Sequence, residues 1–348
     1  MYKSAQILLR PFAALYEGIT RLRNYLYDQR IMQSRSFELP VIAVGNLTVG
    51  GTGKTPHVEY LLRLLQQYKV ATLSRGYKRQ SKGFILADAQ ATPSLIGDEP
   101  YQYFADFKDV KVAVCEKRVK GIEELRTKVP DLQVVVLDDA MQHRPVQPSL
   151  NMLITDINRP FYKDLVLPAG RLRESRSGAN RADIIVVSKC APGMDEQAMA
   201  QVKHQVYKYT AADVPVFFST FAYGKPVAIG SSKTLATEVV LLTGIANAEP
   251  LKKYLASQAY QVVEHQAYPD HHHYTSENLE ELHKLLQKPA YRAAIILTTR
   301  KDAVKLTDAS LKEQTAQLPI FYVPIEVQFL AEQDKFDQLI VQHVEEFR

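Results

Sequence analysis

Residues 41–56 read Val-Ile-Ala-Val-Gly-Asn-Leu-Thr-Val-Gly-Gly-Thr-Gly-Lys-Thr-Pro, and this stretch decides how the rest of the chain is interpreted. The apolar run 41–44 predicts a buried strand, the glycines after it predict a tight turn, and the segment from His57 onward predicts a helix. Glycines at 50, 51 and 53 let successive backbone N–H groups face one point, where the helix N-terminus adds partial positive charge. A strand, a glycine-rich turn and a helix in this order predict a phosphate-binding loop.

The side chains of this loop favour a nucleoside triphosphate as its ligand. Lys54 can reach the outer phosphates, and the Thr55 hydroxyl is placed to ligate Mg²⁺. The common pattern GxxxxGK[ST] has glycine at the position of Thr48, so the chain departs from it there. An ordinary strand–helix turn is the less favoured alternative, because Gly-Lys-Thr is intact. The predicted nucleotide-binding residues are Thr48, Gly50, Gly51, Thr52, Gly53, Lys54 and Thr55.

The composition is that of an ordinary folded protein. Of the 348 residues, 46% are hydrophobic and 23% charged, which fits one large or two medium α/β domains. The net charge of +5 suits an anionic substrate, an anionic membrane surface or nucleic acid without choosing among them. Cys115 and Cys190 form no CxxC pair, which favours a reducing compartment without a zinc site. No run reaches the roughly 18–20 apolar residues of a membrane span, and we expect no secretory signal.

Short apolar runs alternate with helical periodicity from residue 40 onward. Six runs between residues 41 and 188, and five between 216 and 324, predict strands separated by helices such as 58–67. This alternation predicts an α/β fold with a mostly parallel sheet and helices on both faces. We expect a core domain of residues 38–225 and a second, smaller α/β lobe of residues 226–348. A hairpin is predicted near residues 222–227.

Residues 1–37 predict an N-terminal amphipathic helix with an apolar stripe. The stripe recurs at steps of four and three and consists of Leu8, Phe12, Leu15, Ile19, Leu22 and Leu26. Basic residues outnumber acidic ones away from it, so the helix could lie in a membrane surface. Packing of the stripe on the protein's own core is the alternative, and the pattern does not choose between them.

An acid pair, Asp138-Asp139, follows the apolar run 134–137. Ligands of open α/β sheets bind at the carboxyl ends of strands, and a carboxylate there can hold Mg²⁺ directly or through water. Two adjacent acids at a buried strand end are costly unless a cation compensates them. A strand followed by an Asx turn is the alternative, and the nearby phosphate-binding loop weakens it.

A second acid pair lies in Gly97-Asp98-Glu99-Pro100, just before a predicted helix. Asp98 as a helix cap is one interpretation, since Pro100 suits the first helical turn. In the other, one acid approaches the metal and the other receives a proton from the acceptor. The spacing alone leaves both open.

The densest histidine cluster is Asp270-His271-His272-His273-Tyr274. Consecutive histidines point in different directions, which is poor geometry for a three-histidine metal site. An Asp–His pair is better suited to orienting an imidazole or sharing a proton at a reaction centre. A surface loop before a helix is the alternative.

Three stretches combine cations with a position after a predicted strand. Guanidinium groups suit phosphate, although solvated charge is the default for any single one. The stretches are residues 74–79, residues 142–144 and residues 170–174 with Arg176 and Arg181. From the residues alone, the chain is a Mg²⁺-dependent phosphate-loop enzyme with an anionic acceptor, and whether water or an alcohol receives the phosphoryl group stays open.

The motifs together resemble one family. Residues 46–56, Asn-Leu-Thr-Val-Gly-Gly-Thr-Gly-Lys-Thr-Pro, are similar to the signature of the tetraacyldisaccharide 4′-kinases (lipid A 4′-kinases), in which the departure at Thr48 is typical. The similarity extends from about residue 40 to residue 305. Its further motifs are residues 74–77, 97–100, 138–144, 168–174, 243–247, 270–272 and 299–303.

The resemblance implies transfer of the ATP γ-phosphoryl group to the 4′-hydroxyl of a tetraacylated glucosamine disaccharide 1-phosphate. It implies a P-loop fold of two lobes that close over ATP. It also implies a peripheral location on the cytoplasmic face of the inner membrane, with the N-terminal helix docked there. The lipid disaccharide and the inner-membrane surface are the expected partners, with neither nucleic acid nor an obligate protein partner.

Residue roles follow from the resemblance motif by motif. Lys54 and Thr55 would serve the phosphates and Mg²⁺, with Glu99, Asp138 and Asp139 around the metal. Asp98 would act as base toward the sugar hydroxyl, paired with His271. The candidates for holding the disaccharide and its phosphate are Arg75, Tyr77, His143, Arg171 and Arg173.

Three positions depart from the family pattern. Ala140 and Met141 stand where glycine and an aromatic residue are common, which affects packing more than chemistry. Arg300 replaces a common acid, so the resemblance does not assign its loop a role in binding adenine.

Two rival classes share the phosphate-binding loop. A P-loop NTPase switch or metallochaperone would need neither the amphipathic N-terminus nor the Asp–His pair. A membrane-peripheral binding module with a vestigial nucleotide site would not need the intact set of Lys54, Thr55, Asp138 and Asp139.

Overall fold

The computed structural model of the protein describes residues 2–231 and 234–347. Met1, residues 232–233 and Arg348, all within the predicted domain ranges, lie outside the described residues. The strands in chain order are β1 (Val41–Gly45), β2 (Val70–Ser74), β3 (Ile85–Leu86), β4 (Lys111–Val114), β5 (Val134–Asp138), β6 (Leu150–Asp156), β7 (Ile184–Ser188), β8 (Val216–Tyr223), β9 (Val227–Ala228), β10 (Glu238–Thr243), β11 (Gln261–Ala267), β12 (Ile295–Thr299), β13 (Ile320–Val323) and β14 (Ile325–Phe329).

The helices lie between these strands in the alternation that the sequence predicts. They are α1 (Tyr2–Asp28), α2 (Lys54–Leu64), α3 (Pro93–Ile96), α4 (Asp98–Asp106), α5 (Arg118–Lys128), α6 (Glu196–Val206), α7 (Glu249–Ser257), α8 (Ser276–Gln287), α9 (Arg300–Leu306), α10 (Lys312–Thr315) and α11 (Gln333–Glu345).

Among the described residues, the first sheet contains nine strands in the order β14-β8-β7-β6-β1-β5-β2-β4-β3. Its seven inner strands run parallel, and the edge strands β14 and β3 run antiparallel to their neighbours. β1 lies between β5 and β6, with Val44 opposite Asp138 on one side and Met152 on the other. The carboxyl end of β1 is therefore a topological switch point, where open α/β sheets bind ligands.

The second sheet has the order β11-β10-β12-β13-β9 within the described residues, and only β9 is antiparallel to its neighbour. The chain passes between the sheets after β8 and again at Pro324, where the Gly224 N–H donates to the Pro324 carbonyl at 2.9 Å. The predicted hairpin at 222–227 is wrong, because β9 pairs with β13 rather than with β8.

The α/β fold with a mostly parallel sheet is confirmed, but the C-terminal limit of the second lobe differs from the prediction. β14 pairs with β8, with Val327 opposite Phe221. Phe336 and Ile340 of α11 are buried in the core of the first sheet. The division of the chain into two lobes stays a prediction. The second lobe was predicted to span residues 226–348, but residues 325–347 pack with the first sheet.

Helices cover both faces of the first sheet, as buried parallel strands require. One face packs against α2, α4 and α11, where Leu61, Tyr103 and Phe336 are fully buried. On the other face, the core includes Ile122 and Leu125 of α5. The second sheet is covered by α8 through Leu279 on one face and by α7 through Leu255 on the other.

The apolar stripe of α1 does not pack on the protein's own core. Leu8, Phe12, Leu15, Ile19 and Leu22 are each at least 60% exposed, whereas Leu26 is half-buried. The other side of α1 contacts the body through polar groups. Tyr16 Oη donates to the Arg173 carbonyl at 3.0 Å, and Asn24 Nδ2 donates to Glu174 Oε2 at 2.6 Å. Within the described residues, no helix has the length and apolar character needed to cross a bilayer.

Candidate active site

The phosphate-binding loop lies between β1 and α2, as predicted. Gly50 and Gly53 have φ angles of 111° and 89°, which only glycine adopts without strain. A Cβ atom added to Gly53 would lie 2.5 Å from the Phe221 ring, so a side chain there would also clash. Asn46 Nδ2 donates to Thr52 Oγ1 at 2.7 Å and holds the loop across its base.

The loop is paired along its backbone with residues 171–173. The Val49 N–H donates to the Arg171 carbonyl at 2.8 Å, and the Arg173 N–H donates to the Leu47 carbonyl at 2.7 Å. Thr48, between them, is buried and forms an antiparallel bridge with Leu172. This pairing places Arg171 and Arg173 beside the phosphate-binding loop, where the sequence alone placed them only near a strand end.

His57 fixes the start of α2, a contact that the sequence did not reveal. Its Nδ1–H donates to the Gly53 carbonyl at 2.7 Å, and Nε2 accepts from the Ser219 hydroxyl at 2.9 Å. Burial lowers the pKa of His57 to about 4, against the opposing hydrogen bond to Gly53. The ring is therefore neutral at physiological pH and serves as a structural link between the loop and β8.

Two cations converge on the second acid of the pair after β5. Asp139 Oδ1 lies 3.3 Å from Lys54 Nζ, and Arg173 donates to Asp139 Oδ2 at 2.8 Å. Burial alone would raise the pKa of Asp139, but the charges of Lys54 and Arg173 outweigh it and hold the pKa below its usual range. Asp139 is therefore ionised, and it orients both cations at the mouth of the loop.

The first acid of the pair, Asp138, is buried at the carboxyl end of β5. Its Oδ2 accepts from the Tyr103 hydroxyl at 3.1 Å, whereas its Oδ1 has no hydrogen-bond partner among the described residues. Burial, followed by the negative charge of Glu99, raises the pKa of Asp138 above its usual range. A buried oxygen without a partner, beside a second carboxylate, is an arrangement that a bound cation would stabilise.

The few carboxylates at this site suit Mg²⁺ bound jointly with phosphates, rather than a metal ion that is held by protein side chains alone. Within residues 2–231 and 234–347, no group of three or more His, Cys, Asp or Glu side chains is arranged to hold a metal ion. Mg²⁺ is commonly bound through one or two carboxylates together with substrate phosphates and water. Asp138 and Glu99 could supply the carboxylates, and Thr55 is the second residue of α2, directly after Lys54.

The two clusters 98–100 and 270–274, separate in the sequence, meet in space. Asp98 begins α4 of the first sheet, and His271 lies in the loop after β11 of the second; Asp98 Oδ2 is 3.4 Å from His271 Nδ1. Burial would raise the pKa of Asp98, but the hydrogen bond from His271 and the charges of Lys305 and Lys301 lower it overall. The segment is a loop before α8, as the alternative interpretation has it, but the His271 side chain in that loop is only 20% exposed and lies against Asp98.

The five predicted substrate-binding residues lie in three places. Tyr77 is largely exposed, and its ring lies edge-on to His271 with 5.6 Å between centroids. Arg171 and Arg173 lie beside the phosphate-binding loop, as described above.

His143 and Arg75 lie on the side of Arg118. The Arg118 N–H donates to His143 Nε2 at 3.3 Å, which occupies that ring nitrogen. Burial, and the charges of Arg118, Arg23 and Arg75, lower the pKa of His143 to about 4. Arg75 is exposed, so it is free to turn toward a ligand.

Arg300, the departure from the family pattern, connects the two sheets. Its Nε donates to Asp106 Oδ2 at 2.9 Å, and its guanidinium lies 4.7 Å from the Tyr322 ring centroid. This contact with α4 gives the arginine a structural role in the second lobe. Whether this loop binds adenine stays untested by these contacts.

Tyr103 and Arg118 were missed by the sequence reasoning. Tyr103 lies four residues after Glu99 on α4, so helical spacing could have placed both on one face. Arg118 is buried and donates to the Asp138 carbonyl at 3.4 Å. No local pattern separates this arginine from the solvated charges around it.

Comparison with known proteins gives consistent results over nearly the whole chain. The model of the family described as tetraacyldisaccharide-1-P 4′-kinase matches residues 5–345. The tetraacyldisaccharide 4′-kinase of Flavobacterium johnsoniae is 43% identical over 97% of both chains. That of Bacteroides thetaiotaomicron is 40% identical over 97% of this chain and 93% of its own. The crystal structure of LpxK from Aquifex aeolicus in complex with ATP superposes with a TM-score of 0.76 and 30% identity, covering 98% of this chain and 99% of that one.

Proposed function

The chain belongs to the tetraacyldisaccharide 4′-kinase family, whose members transfer the ATP γ-phosphoryl group to the 4′-hydroxyl of a tetraacyldisaccharide 1-phosphate in lipid A biosynthesis, and from this premise we propose how its residues perform the reaction. The chain is such a kinase, so the rival NTPase switch and the vestigial binding module are both set aside. The proposal concerns the base, the metal ligands, the acceptor-binding residues and the membrane.

Asp98 is the base that receives the proton of the 4′-hydroxyl. The single observation that carries this role is the contact of 3.4 Å between Asp98 Oδ2 and His271 Nδ1, which joins a helix of one sheet to a loop of the other. A carboxylate of lowered pKa suffices, because phosphoryl transfer has a loose transition state in most analyses and relies mainly on positioning and electrostatic stabilisation. His271 orients the carboxylate so that its other oxygen can face the sugar.

Lys54 and the backbone of the phosphate-binding loop hold the ATP phosphates. The ammonium neutralises charge on the γ-phosphoryl group, and the loop N–H groups hold the chain of phosphates in line with the acceptor. The other cofactor-binding residues are Thr48, Gly50, Gly51, Thr52, Gly53 and Thr55.

Mg²⁺ would be held by Asp138, Glu99 and the Thr55 hydroxyl, together with phosphate oxygens. The support for Asp138 is its buried Oδ1, which has no partner among the described residues. Bound there, Mg²⁺ would supply positive charge to the phosphoryl oxygens during transfer. Asp139, also predicted as a ligand, is already paired with Lys54 and Arg173, so we assign it mainly to orienting those cations.

The lipid disaccharide binds between Tyr77 and the arginines beside the loop. Arg171 and Arg173 present guanidinium groups that suit phosphate, with Arg75 and His143 on the other side. Tyr77, against the His271 ring, offers a flat surface to the sugar next to the base.

The chain acts at the cytoplasmic face of the inner membrane as a peripheral protein. The support is the exposed stripe of α1, whose polar side is fastened to residues 173–174. Burying such a stripe at the boundary of headgroups and acyl chains is favourable. It would bring the lipid substrate close to Arg173, whose backbone carbonyl accepts from Tyr16 of α1.

Substitution Asp98→Asn tests the base directly. Turnover should fall by about 10²- to 10⁴-fold, the usual contribution of general acid–base catalysis, while the dissociation constant of ATP stays nearly unchanged. The matched control is Asp109→Asn, an exposed carboxylate three residues beyond α4. Near-normal turnover of Asp98→Asn would remove Asp98 as the base.

A further inference from the structure

Lys301 completes a line of three polar side chains that ends at the proposed base. It is the second residue of α9, which begins directly after β12. Its Nζ lies 3.1 Å from His271 Nε2, on the side of the ring opposite Asp98. The order Lys301–His271–Asp98 therefore joins α9, the loop after β11 and the start of α4.

The chemistry of the ammonium group fixes how the imidazole is protonated. Lysine carries three donors and no acceptor, so it can only donate to His271 Nε2. A neutral ring with an acceptor at Nε2 carries its proton at Nδ1, where it faces Asp98 Oδ2. The opposite tautomer would place an N–H against the ammonium and a lone pair against the carboxylate, which is unfavourable at both ends.

Asp270 holds the ammonium in this position. Its Oδ1 forms an ion pair of 3.1 Å with Lys301 Nζ, and the Lys301 side chain is only 23% exposed. Lys301 thus bridges two consecutive residues, Asp270 and His271. Because Asp270 already restricts the Lys301 side chain, orienting the ring costs less conformational entropy than it would with a lysine that is mobile in solvent.

The backbone around His271 is fixed to α9 by buried groups. His271 has φ 62°, a conformation that non-glycine residues adopt only where the surroundings hold them. Lys305 Nζ donates to the His272 carbonyl at 3.0 Å and pairs with Asp302 at 2.8 Å, both side chains being almost fully buried. Asp302 Oδ2 also accepts from the Gly244 N–H at 2.9 Å. These bonds join α9 to the histidine loop, which holds Lys301 beside the ring.

We propose that Lys301 is a positioning residue that holds His271 in the tautomer with its proton on Nδ1 and thereby orients the Asp98 carboxylate toward the acceptor hydroxyl. This inference rests on the proposed role of Asp98 and His271. Lys301 itself does not touch the reacting atoms.

The first test replaces Lys301 with methionine, which keeps the unbranched chain as far as the ε position and removes the ammonium group. The turnover number should fall about tenfold, a fraction of a full acid–base contribution, with the KM for ATP nearly unchanged. Lys284→Met, at an exposed lysine of α8, is the matched control. A wild-type turnover number for Lys301→Met would overturn the proposal.

Rescue separates positioning from a general packing effect. The turnover number of Lys301→Cys should be as low as that of Lys301→Met. It should recover when the thiol is alkylated with 2-bromoethylamine, which rebuilds a lysine-like ammonium. The native cysteines, Cys115 and Cys190, are both buried, so the folded protein directs the reagent to residue 301. Failure of the alkylated protein to recover would contradict the role of the ammonium.

The tautomer is read by NMR of protein labelled with ¹⁵N-histidine, with the signals of residue 271 assigned from His271→Gln. In the wild type, the ¹⁵N chemical shifts of His271 should be those of a protonated Nδ1 and an unprotonated Nε2. In Lys301→Met, the two shifts should move toward values typical of a mixture of the two tautomers. An Nε2-protonated ring in the wild type, or an unchanged ring in the variant, would overturn the proposal. Should Lys301→Met fold poorly, Asp270→Asn offers the same readout, since it removes the second anchor and keeps the lysine.

Comparing the turnover of these variants separates a failure of this inference from a failure of the proposed roles of Asp98 and His271. A slow Asp98→Asn with a normal Lys301→Met leaves the base in place and removes Lys301 alone. Normal turnover in both Asp98→Asn and His271→Gln removes the pair, and the role of Lys301 with it.

Discussion

Lys54 and Asp139 form an ion pair, with 3.3 Å between Lys54 Nζ and Asp139 Oδ1. The lysine comes from the phosphate-binding loop and the aspartate from the end of β5, which lies beside β1 in the sheet. The pair therefore holds the ammonium at the edge of the sheet where the γ-phosphoryl group is proposed to bind. Arg173, on the same carboxylate, adds a second cation at this point.

Lys54→Ala should lower both turnover and apparent ATP affinity. Removal of one stabilising donor at a developing charge typically lowers kcat by about 10²- to 10³-fold, and the ground-state contact with phosphate is lost as well. The measurement is initial rate against ATP concentration, with the exposed Lys128→Ala as control. Unchanged kinetics would be incompatible with a phosphate-binding role for Lys54.

Asp138→Asn should raise the Mg²⁺ concentration that half-saturates the reaction by at least about tenfold, since loss of even an outer-shell partner of a metal ligand typically costs about 10- to 100-fold in metal affinity. The buried Asp138 Oδ1, without a partner among the described residues, is the atom that this change neutralises. Initial rates are measured over a Mg²⁺ titration at saturating ATP. Tyr103→Phe, which removes only the hydrogen bond to Oδ2, should shift the midpoint less. An unaltered midpoint for Asp138→Asn would exclude it as a ligand.

The double substitution Leu15→Ser and Ile19→Ser should weaken binding to anionic phospholipid vesicles on the order of 100-fold, since each side chain contributes about 1.5 kcal/mol or more on burial. Both side chains are exposed and contribute little to folding, so the melting temperature should not change. Vesicle co-sedimentation measures the binding, and Ala14→Ser, at another exposed position of α1, is the control. Equal binding by the double variant would show that the stripe does not contact the membrane.

Glu59→Gln should stabilise the protein at alkaline pH and not at acidic pH. Glu59 is buried on α2, accepts from Gln102 Nε2, and has its pKa raised by burial from 4.5 to about 7. The folded state therefore keeps a proton that the unfolded state releases, and the wild type loses stability as the pH rises from 4.5 through 7. The variant, which cannot ionise, should gain up to about 3 kcal/mol over the wild type by pH 8.

Chemical denaturation at pH 4.5 and pH 8 measures this difference in the free energy of unfolding. The exposed Glu280→Gln should show none of it. A difference that is the same at both pH values would mean that folding does not raise the pKa of Glu59.

The phosphate-binding loop and the acid pair could be predicted because their signals are local. The strand, the glycine turn and the start of α2 follow one another within residues 41–56, and the strand end at Asp138 is marked by the change from apolar to acidic residues. The contact between Asp98 and His271 could not be derived from spacing, since 173 residues separate them. Only the resemblance to the family suggested it.

The return of the chain to the first sheet was missed for a related reason. Residues 325–329 alternate Ile-Glu-Val-Gln-Phe, the pattern of a half-buried strand. The alternation does not identify the partner strand, and β8 lies about a hundred residues earlier in the chain. Lys301 lies within the family motif 299–303, but the sequence gives it no role, because a lysine at the start of a helix is usually solvated.

Transfer of labelled phosphate from ATP to a tetraacyldisaccharide 1-phosphate in detergent micelles tests the central claim most directly. The wild type and Asp98→Asn are compared with Mg²⁺ present and with Mg²⁺ chelated. The account predicts labelled lipid from the wild type with Mg²⁺, and almost none after chelation or from Asp98→Asn. Labelled free phosphate without labelled lipid, or wild-type labelling of the lipid by Asp98→Asn, would contradict it.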